Sequence, residues 1–466
     1  MSHSKVASLH TLPIAKLTKV SRCPGQDFLP VNHQVRGEVV KYWRAVLTEG
    51  PMRWNTFPLF PLVLNADGSL WEPACLWLLD RARAQPLKVS SLPPLARDLK
   101  DYKIFLDGLF LAWDNFLAVD KYARPTYLYR SHLQTQIDAG MMELSTARRR
   151  MSSVVSFYRY LMSSEQMRFI PANDPWVDRQ YGFQYRDSKG FNRIHEVQST
   201  NLSIRVPKAD HVWEGIIDGG RLRPLTADEQ RSLIAGLKAL GNREFELMHY
   251  VSLFTGAREQ TALTLRWGPF QKSPSQIKQW PFKLLCGPGT GIDTKRDVPN
   301  VYLAIPRYLY EWLHVYARTE RAQHRRSKSE RADHSSNYLF LTSQGGPYYA
   351  AKDDINAVTF SSQVVRRSAP IGQGLREFIL ERVVPEVRRT LPGFRYRFHD
   401  LRATFGMNWV DHVESTFGDR EAFFGRVSNF ESSCGTEIRL QQTAISSFGN
   451  GHGNWQKHKP TGATIC

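Results

Sequence analysis

The sequence predicts a mainly α protein with a small β-sheet, on three observations. Apolar residues recur at steps of three and four over long stretches, which marks one face of a helix. Thr226 and Glu229 form a capping box at the head of one such stretch. Two short apolar runs, Phe282 to Leu285 and Val301 to Ile305, flank a glycine-rich segment, the pattern of a β-hairpin.

Taken in order, residues 1–90 mix proline-rich and aromatic pieces such as Trp71 to Leu79, and predict an N-terminal extension of short helices and loops. Leu95, Leu99, Tyr102, Phe105, Leu106, Leu109 and Phe110 then make one stripe of a long helix. Pro125 to Ala139 predicts a second helix. Ser145 caps a third, with Ala147, Met151, Val154, Val155, Tyr158 and Leu161 inward. Residues 166–220 read as a linker with an embedded hairpin and one strand-like run, Leu202 to Val206. An apolar helix from Glu244 to Phe254 runs into Thr255-Gly256, a helix stop, and Arg258 opens the next helix. A helix from Tyr308 to about Arg318 leads to a basic loop carrying Arg318, Arg321, Arg325, Arg326, Lys328 and Arg331. Gly372 to Thr390 is amphipathic and helical, interrupted at Pro385. In Arg397 to Phe405, His399 and Arg402 stand three apart on one helical face, with Asp400 where a helix N-terminus favours an acid.

A chain of 466 residues has room for two or three domains. Its 42% hydrophobic and 12% aromatic content can fill real cores. The net charge of +18 is spread along the chain, which points to a large polyanion as partner. The five cysteines are scattered, odd in number and without metal spacing, so a reducing cytoplasm is expected. No apolar run reaches the roughly 18 residues of a membrane span. The Gly287 to Asp297 segment is no phosphate loop, since no Lys-Ser/Thr follows its last glycine. Nothing calls for a metal or a small-molecule cofactor.

Two stretches, Thr255-Gly256-Ala257-Arg258 and His399-Asp400-Leu401-Arg402, together resemble the Thr-Gly-x-Arg and His-x-x-Arg active-site boxes of the tyrosine recombinases, the phage-integrase family. Thr261 departs from the pattern, because many members carry Glu three after the arginine. The resemblance implies a helical core-binding domain over 91–165 that clamps duplex DNA, with Arg148, Arg149, Arg150 and Arg159 on its DNA face. It implies an α/β recombinase-like catalytic domain over 221–426. It also assigns the family's hairpin lysine to Lys295, with Arg296 as nearest competitor. Arg325 and Arg326, in the basic loop, are further DNA-contact candidates. The implied partner is double-stranded DNA, with self-association on it.

A phosphodiester resists attack because its charge repels nucleophiles. Arg258 and Arg402 could each fork onto its non-bridging oxygens and hold the charge of the transition state. Lys295 could protonate the leaving 5′ oxygen, and His399 could donate a hydrogen bond or move a proton. In the family a tyrosine hydroxyl attacks, but no tyrosine follows Tyr396 in this chain. Gly451-His452 resembles the Gly-His box, yet Thr461 stands nine residues on, in the tyrosine's place. The expected function is therefore site-specific recombination and DNA integration with strand cleavage lost, or a non-catalytic DNA-binding module of the same fold. A basic structural protein with the two boxes present by chance is the third reading. The atypical tail, 427–466, has two explanations. It is a divergent end, or a frame change: out of frame, Gly435 to Gly449 permits a His codon across Gly435 and Thr436 and a Tyr codon across Ala444 and Ile445.

Overall fold

The computed structural model describes residues 6–35, 38–46, 56–85, 90–165, 167–186, 191–204, 216–217, 221–295, 301–356 and 368–417. Arg296 and the whole 427–466 tail, including the Gly-His and frame-change positions, lie outside the described residues. The fold is mixed but mainly helical, with small antiparallel sheets. It divides into two compact units, one drawn from 1–208 with 356–368 and the other from 209–355 with 369–466.

In the first unit, β1 (Ser8–Lys16) pairs antiparallel with β5 (Thr56–Leu64). A separate sheet has the order β2 (Val20–Ser21), β4 (Glu38–Ala45), β3 (Phe28–Val35). Four helices follow: α1 (Glu72–Ala84), α2 (Leu92–Gly108), α3 (Pro125–Asp138) and α4 (Leu144–Ser163). Most of the helical stripes read from sequence turn inward: Leu99, Tyr102, Leu106, Met151, Val154 and Leu161 are buried in one cluster, whereas Leu109 and Phe110 lie past the end of α2 and are exposed.

Residues 1–90 differ from the expectation. Their described part holds five strands and one helix, and Phe57, Phe60, Val63, Trp77 and Leu78 share the core of α2–α4. A boundary at 90 would cut that core in two, so the described extension is part of the helical unit. The reason is β5: its run Thr-Phe-Pro-Leu-Phe-Pro-Leu-Val-Leu is buried on both faces and does not alternate, so it carries no period-2 signal. In the expected linker a hairpin is present, β6 (Asp178–Arg186) with β7 (Asn192–Thr200). Leu202 and Ile204 lie in no strand; they are apolar because they fill the first unit's core.

The second unit opens with a two-residue pair, β8 (Ile216–Ile217) and β9 (Arg221–Leu222). Then come α5 (Ala227–Ala239), α6 (Arg243–Thr255) and α7 (Glu259–Leu263). The capping box is formed at α5: Glu229 N–H donates to Thr226 Oγ1 at 3.3 Å and Thr226 N–H to Glu229 Oε2 at 2.9 Å. The expected hairpin is β10 (Phe282–Cys286) with β11 (Val301–Ile305), antiparallel. It is followed by α8 (Arg307–Arg318), α9 (Glu320–Ser327) and α10 (Lys352–Asn356). Next are α11 (Gln373–Phe378), a π turn over Ile379–Val383, α12 (Val384–Arg388) and finally α13 (Asp400–Phe417). The expected interruption at Pro385 is absent: Val383 and Val384 keep helical dihedrals, and the helix passes through the π turn into α12.

The basic loop is a correction. Residues 320–327 form helix α9, and Arg325 and Arg326 are buried rather than presented to solvent. Arg325 donates to the Leu341 carbonyl at 2.6 Å and lies 3.3 Å from Glu244. Arg326 is 2% exposed, pairs with Asp333 at 2.7 Å and stacks on the Trp267 ring. A guanidinium sealed under its own acid and ring cannot reach a DNA backbone, so both leave the set of DNA contacts. Arg321 joins the same network, paired to the fully buried Glu244 at 2.7 Å. No helix among the described residues is long and apolar enough to cross a membrane.

Candidate functional site

Helix α6 ends because Gly256 adopts a left-handed conformation, φ 68°, the ordinary terminator geometry. A Cβ at this position would come within 2.6 Å of the Phe405 ring of α13. Glycine is thus required twice, by the backbone and by the neighbour. Arg258 follows at the N-cap position of α7, half-buried.

Helix α13 is fixed against this turn from several directions. Asp400 accepts from Arg397 N–H at 2.8 Å and from Arg223 N–H at 3.0 Å, which confirms the acid at the helix start. Thr404 Oγ1 accepts from Leu225 N–H at 2.9 Å. Arg402, 4% exposed, donates through Nη1 to the Gly256 carbonyl. The Thr255-Gly256-Ala257-Arg258 and His399-x-x-Arg402 segments, 146 residues apart at that bond, therefore meet at one turn.

His399 stands just before α13, half-buried. Its charge reaches Glu259, the first residue of α7. Burial pushes the Glu259 carboxyl upward, and the neighbouring Arg376 and His399 pull against that shift. Arg376 Nη1 lies 2.7 Å from Glu259 Oε1. Gly372, at φ 82°, leaves room for this carboxylate; a Cβ there would fall 2.0 Å from Glu259 Oε1.

Lys295 is exposed at the far end of the β10 loop, two residues after the buried Asp293. Gln260 Nε2 donates to Asp293 Oδ2 at 2.7 Å, and Thr261 Oγ1 to the Asp293 carbonyl at 2.7 Å. The loop of Lys295 is thus bonded to α7, the helix that Arg258 caps. Lys352 Nζ donates to the Thr294 carbonyl at 3.4 Å.

Sequence reasoning missed Glu259, Asp293, Lys352 and Arg376. Asp293 lay in a segment read for its glycines and for Lys295, and nothing local marks the other three. Among the described residues no group of three His, Cys, Asp or Glu could hold a metal ion. The first unit's candidates are partly tied to acids: Arg149 to Asp98, Arg150 to Asp101 at 2.7 Å, and Arg159 to Asp178 at 3.3 Å. Arg148 is exposed on α4. Arg402 thus bonds the turn that Arg258 follows by two residues, and a guanidinium is suited to an anion such as a phosphate.

No known protein family, curated protein or solved structure matches this chain.

Proposed function

We propose that this chain is a tyrosine-recombinase-like protein that binds duplex DNA, self-associates on it, and cradles one backbone phosphate. Arg258 and Arg402 grip the non-bridging oxygens. Lys295 serves the leaving oxygen and His399 donates a hydrogen bond or moves a proton. Its setting is the reducing cytoplasm, on the evidence of its scattered cysteines. The observation that carries this reading is the bond from Arg402 to the Gly256 carbonyl, which joins the two resembling segments.

A second reading, a DNA-binding module without strand transfer, draws on Tyr396. This is the last tyrosine of the chain; it is buried, and its hydroxyl bonds His249 Nε2 at 2.8 Å. Burial raises its pKa well above the ordinary phenol value, so it is no surrogate nucleophile.

The test is a duplex-binding titration across salt, with Arg258→Ala and Arg402→Ala alongside the parent. Each phosphate neutralised contributes a slope near ~0.9 in log K against log salt. Salt-independent binding, or none at low salt, overturns both readings. They part on a gene carrying a one- or two-base correction between codons 405 and 435. A denaturant-resistant protein–DNA adduct from the corrected gene supports the recombinase; its absence supports the module.

A further inference from the structure

We propose that Asp293 is the positioning residue that holds Lys295 in register with Arg258, a role that rests on the phosphate-binding reading above. Three features of the β10 loop lead there.

First, the loop is anchored everywhere up to its end. Gly287, Gly289 and Gly291 all take positive φ, which turns the chain tightly. Two of their amides, those of Gly289 and Gly291, donate to Asp353 Oδ2 at 3.2 Å each. Arg266 Nε donates to the Gly291 carbonyl at 2.9 Å. Lys295 itself is exposed. A fixed base with an exposed tip is what a side chain needs in order to meet a ligand at a set place.

Second, Asp293 bonds two elements at once. Its own N–H donates to Thr264 Oγ1 at 2.9 Å, and its carbonyl accepts from Thr261, both on the α7 side. Its carboxylate takes Gln260 Nε2 at 2.7 Å and the Lys352 amide at 3.2 and 3.0 Å, where α10 begins. The residue that Thr261 holds, in the place where the resembling family often has Glu, is therefore an acid that arrives from the hairpin loop.

Third, the carboxylate is costly where it is. Asp293 is 6% exposed, and burial pushes its pKa up against the pull of Gln260 and the Lys352 amide. An Asn of the same shape would avoid that desolvation. It would offer a single side-chain acceptor oxygen where the carboxylate presents two to Gln260 and the Lys352 amide.

The experiment is a double-mutant cycle on duplex DNA affinity, using the full chain with Lys295→Ala, Asp293→Asn and the pair. Lys295→Ala is expected to weaken binding several-fold and lower the salt slope by about one phosphate's worth, near ~0.9. Asp293→Asn should remove most of the same increment, and the pair should be no weaker than Lys295→Ala alone. If the two losses multiply, Asp293 is only a tether of the fold and the proposal is overturned. Should Asp293→Asn not fold, Gln260→Ala replaces it in the same cycle, with the same two outcomes. Parent binding that ignores Lys295→Ala instead overturns the phosphate-site reading for Lys295, and this proposal with it.

Discussion

The α9 arginines and the arginines of the Gly256 turn look alike in sequence and differ in what faces them. Glu244, with no exposed surface, meets Arg321 and Arg325, and Asp333 meets Arg326. At the turn, Arg402 donates to a backbone carbonyl, and Glu259, the first residue of α7, is bonded to Arg376. Arg325 and Arg326 are part of the core, whereas Arg321 keeps an exposed side chain on the same Glu244. Arg402 is as deeply buried, and one of its N–H groups goes to a carbonyl. Run length of basic residues distinguishes neither case.

The sharpest way to break this contrast is Glu244→Gln. It leaves the buried guanidinium of Arg325 without its carboxylate, and breaking a buried pair in this way costs about 3–5 kcal/mol. Denaturant unfolding should register that loss, while the salt slope of DNA binding stays at the parent value. A loss under about 1 kcal/mol would mean that α9 is not held by its ion pairs.

Gly256→Ala tests the other region. The left-handed backbone disfavours a side chain by about 1–2 kcal/mol. The clash with Phe405 adds about 1–3 kcal/mol of overpacking. Stability should fall, and DNA affinity should fall with it, because Arg402 bonds the carbonyl of this same residue. Phe405→Leu in the same chain should recover part of the steric share. Affinity that survives the substitution intact would detach the Gly256 turn from binding.

Two histidines extend the comparison. His399 is half-buried at the turn, whereas His249 is sealed, Nδ1 on the Phe245 carbonyl at 2.6 Å and Nε2 on Tyr396 at 2.8 Å. A carbonyl can only accept, so Nδ1 carries the proton and the Tyr396 hydroxyl donates to Nε2. Burial lowers the His249 pKa from 6.5 to about 4. Above pH 6.5 the ring is neutral whether the chain is folded or not. Between pH 6.5 and about 4 the unfolded chain takes a proton that the folded one refuses, so stability falls with pH across this window. The loss from this group reaches roughly 3 kcal/mol. Urea unfolding at stepped pH should trace it, and His249→Asn should flatten it. An unchanged slope in the variant would assign the acid sensitivity elsewhere.

What was legible in the sequence follows the length of each pattern. The stripes of α2 and α4 repeat over several turns, and the Thr226 and Glu229 box is local, so both could be read directly. The hairpin of β10 and β11 announced itself by its glycines. Strand β5 hid because it is buried on both faces. Arg326 misled because the acid that pairs with it, Asp333, lies past the end of α9, and its ring, Trp267, lies far upstream. The junction of the two site segments was inferred from resemblance alone. Local sequence cannot give a bond between Arg402 and Gly256, since only the packing of α13 on α6 creates it. Glu259, Asp293 and Arg376 were missed for the same reason.

The smallest expected effect separates surface arginines from core ones directly. Arg148 is exposed on α4, whereas its neighbours Arg149 and Arg150 answer to Asp98 and Asp101 on α2. Among the described residues no acid is bonded to Arg148, so its charge is the one of the three offered in full to a phosphate. Arg148→Ala should therefore lower the salt slope of duplex binding by about one phosphate's share, near ~0.9, and reduce affinity a few-fold without moving the unfolding midpoint. Arg149→Ala should do less to the slope, because its pair with Asp98 already reduces the charge presented outward. It should do more to stability, because Asp98, 1% exposed, loses an ionic partner. Arg326→Lys should leave the slope untouched and lower the midpoint, since an ammonium cannot both bond Asp333 and lie flat on Trp267. A slope change from Arg326→Lys equal to that from Arg148→Ala would mean that α9 opens on DNA, and the distinction between the two arginine regions would then fail at the point where binding occurs.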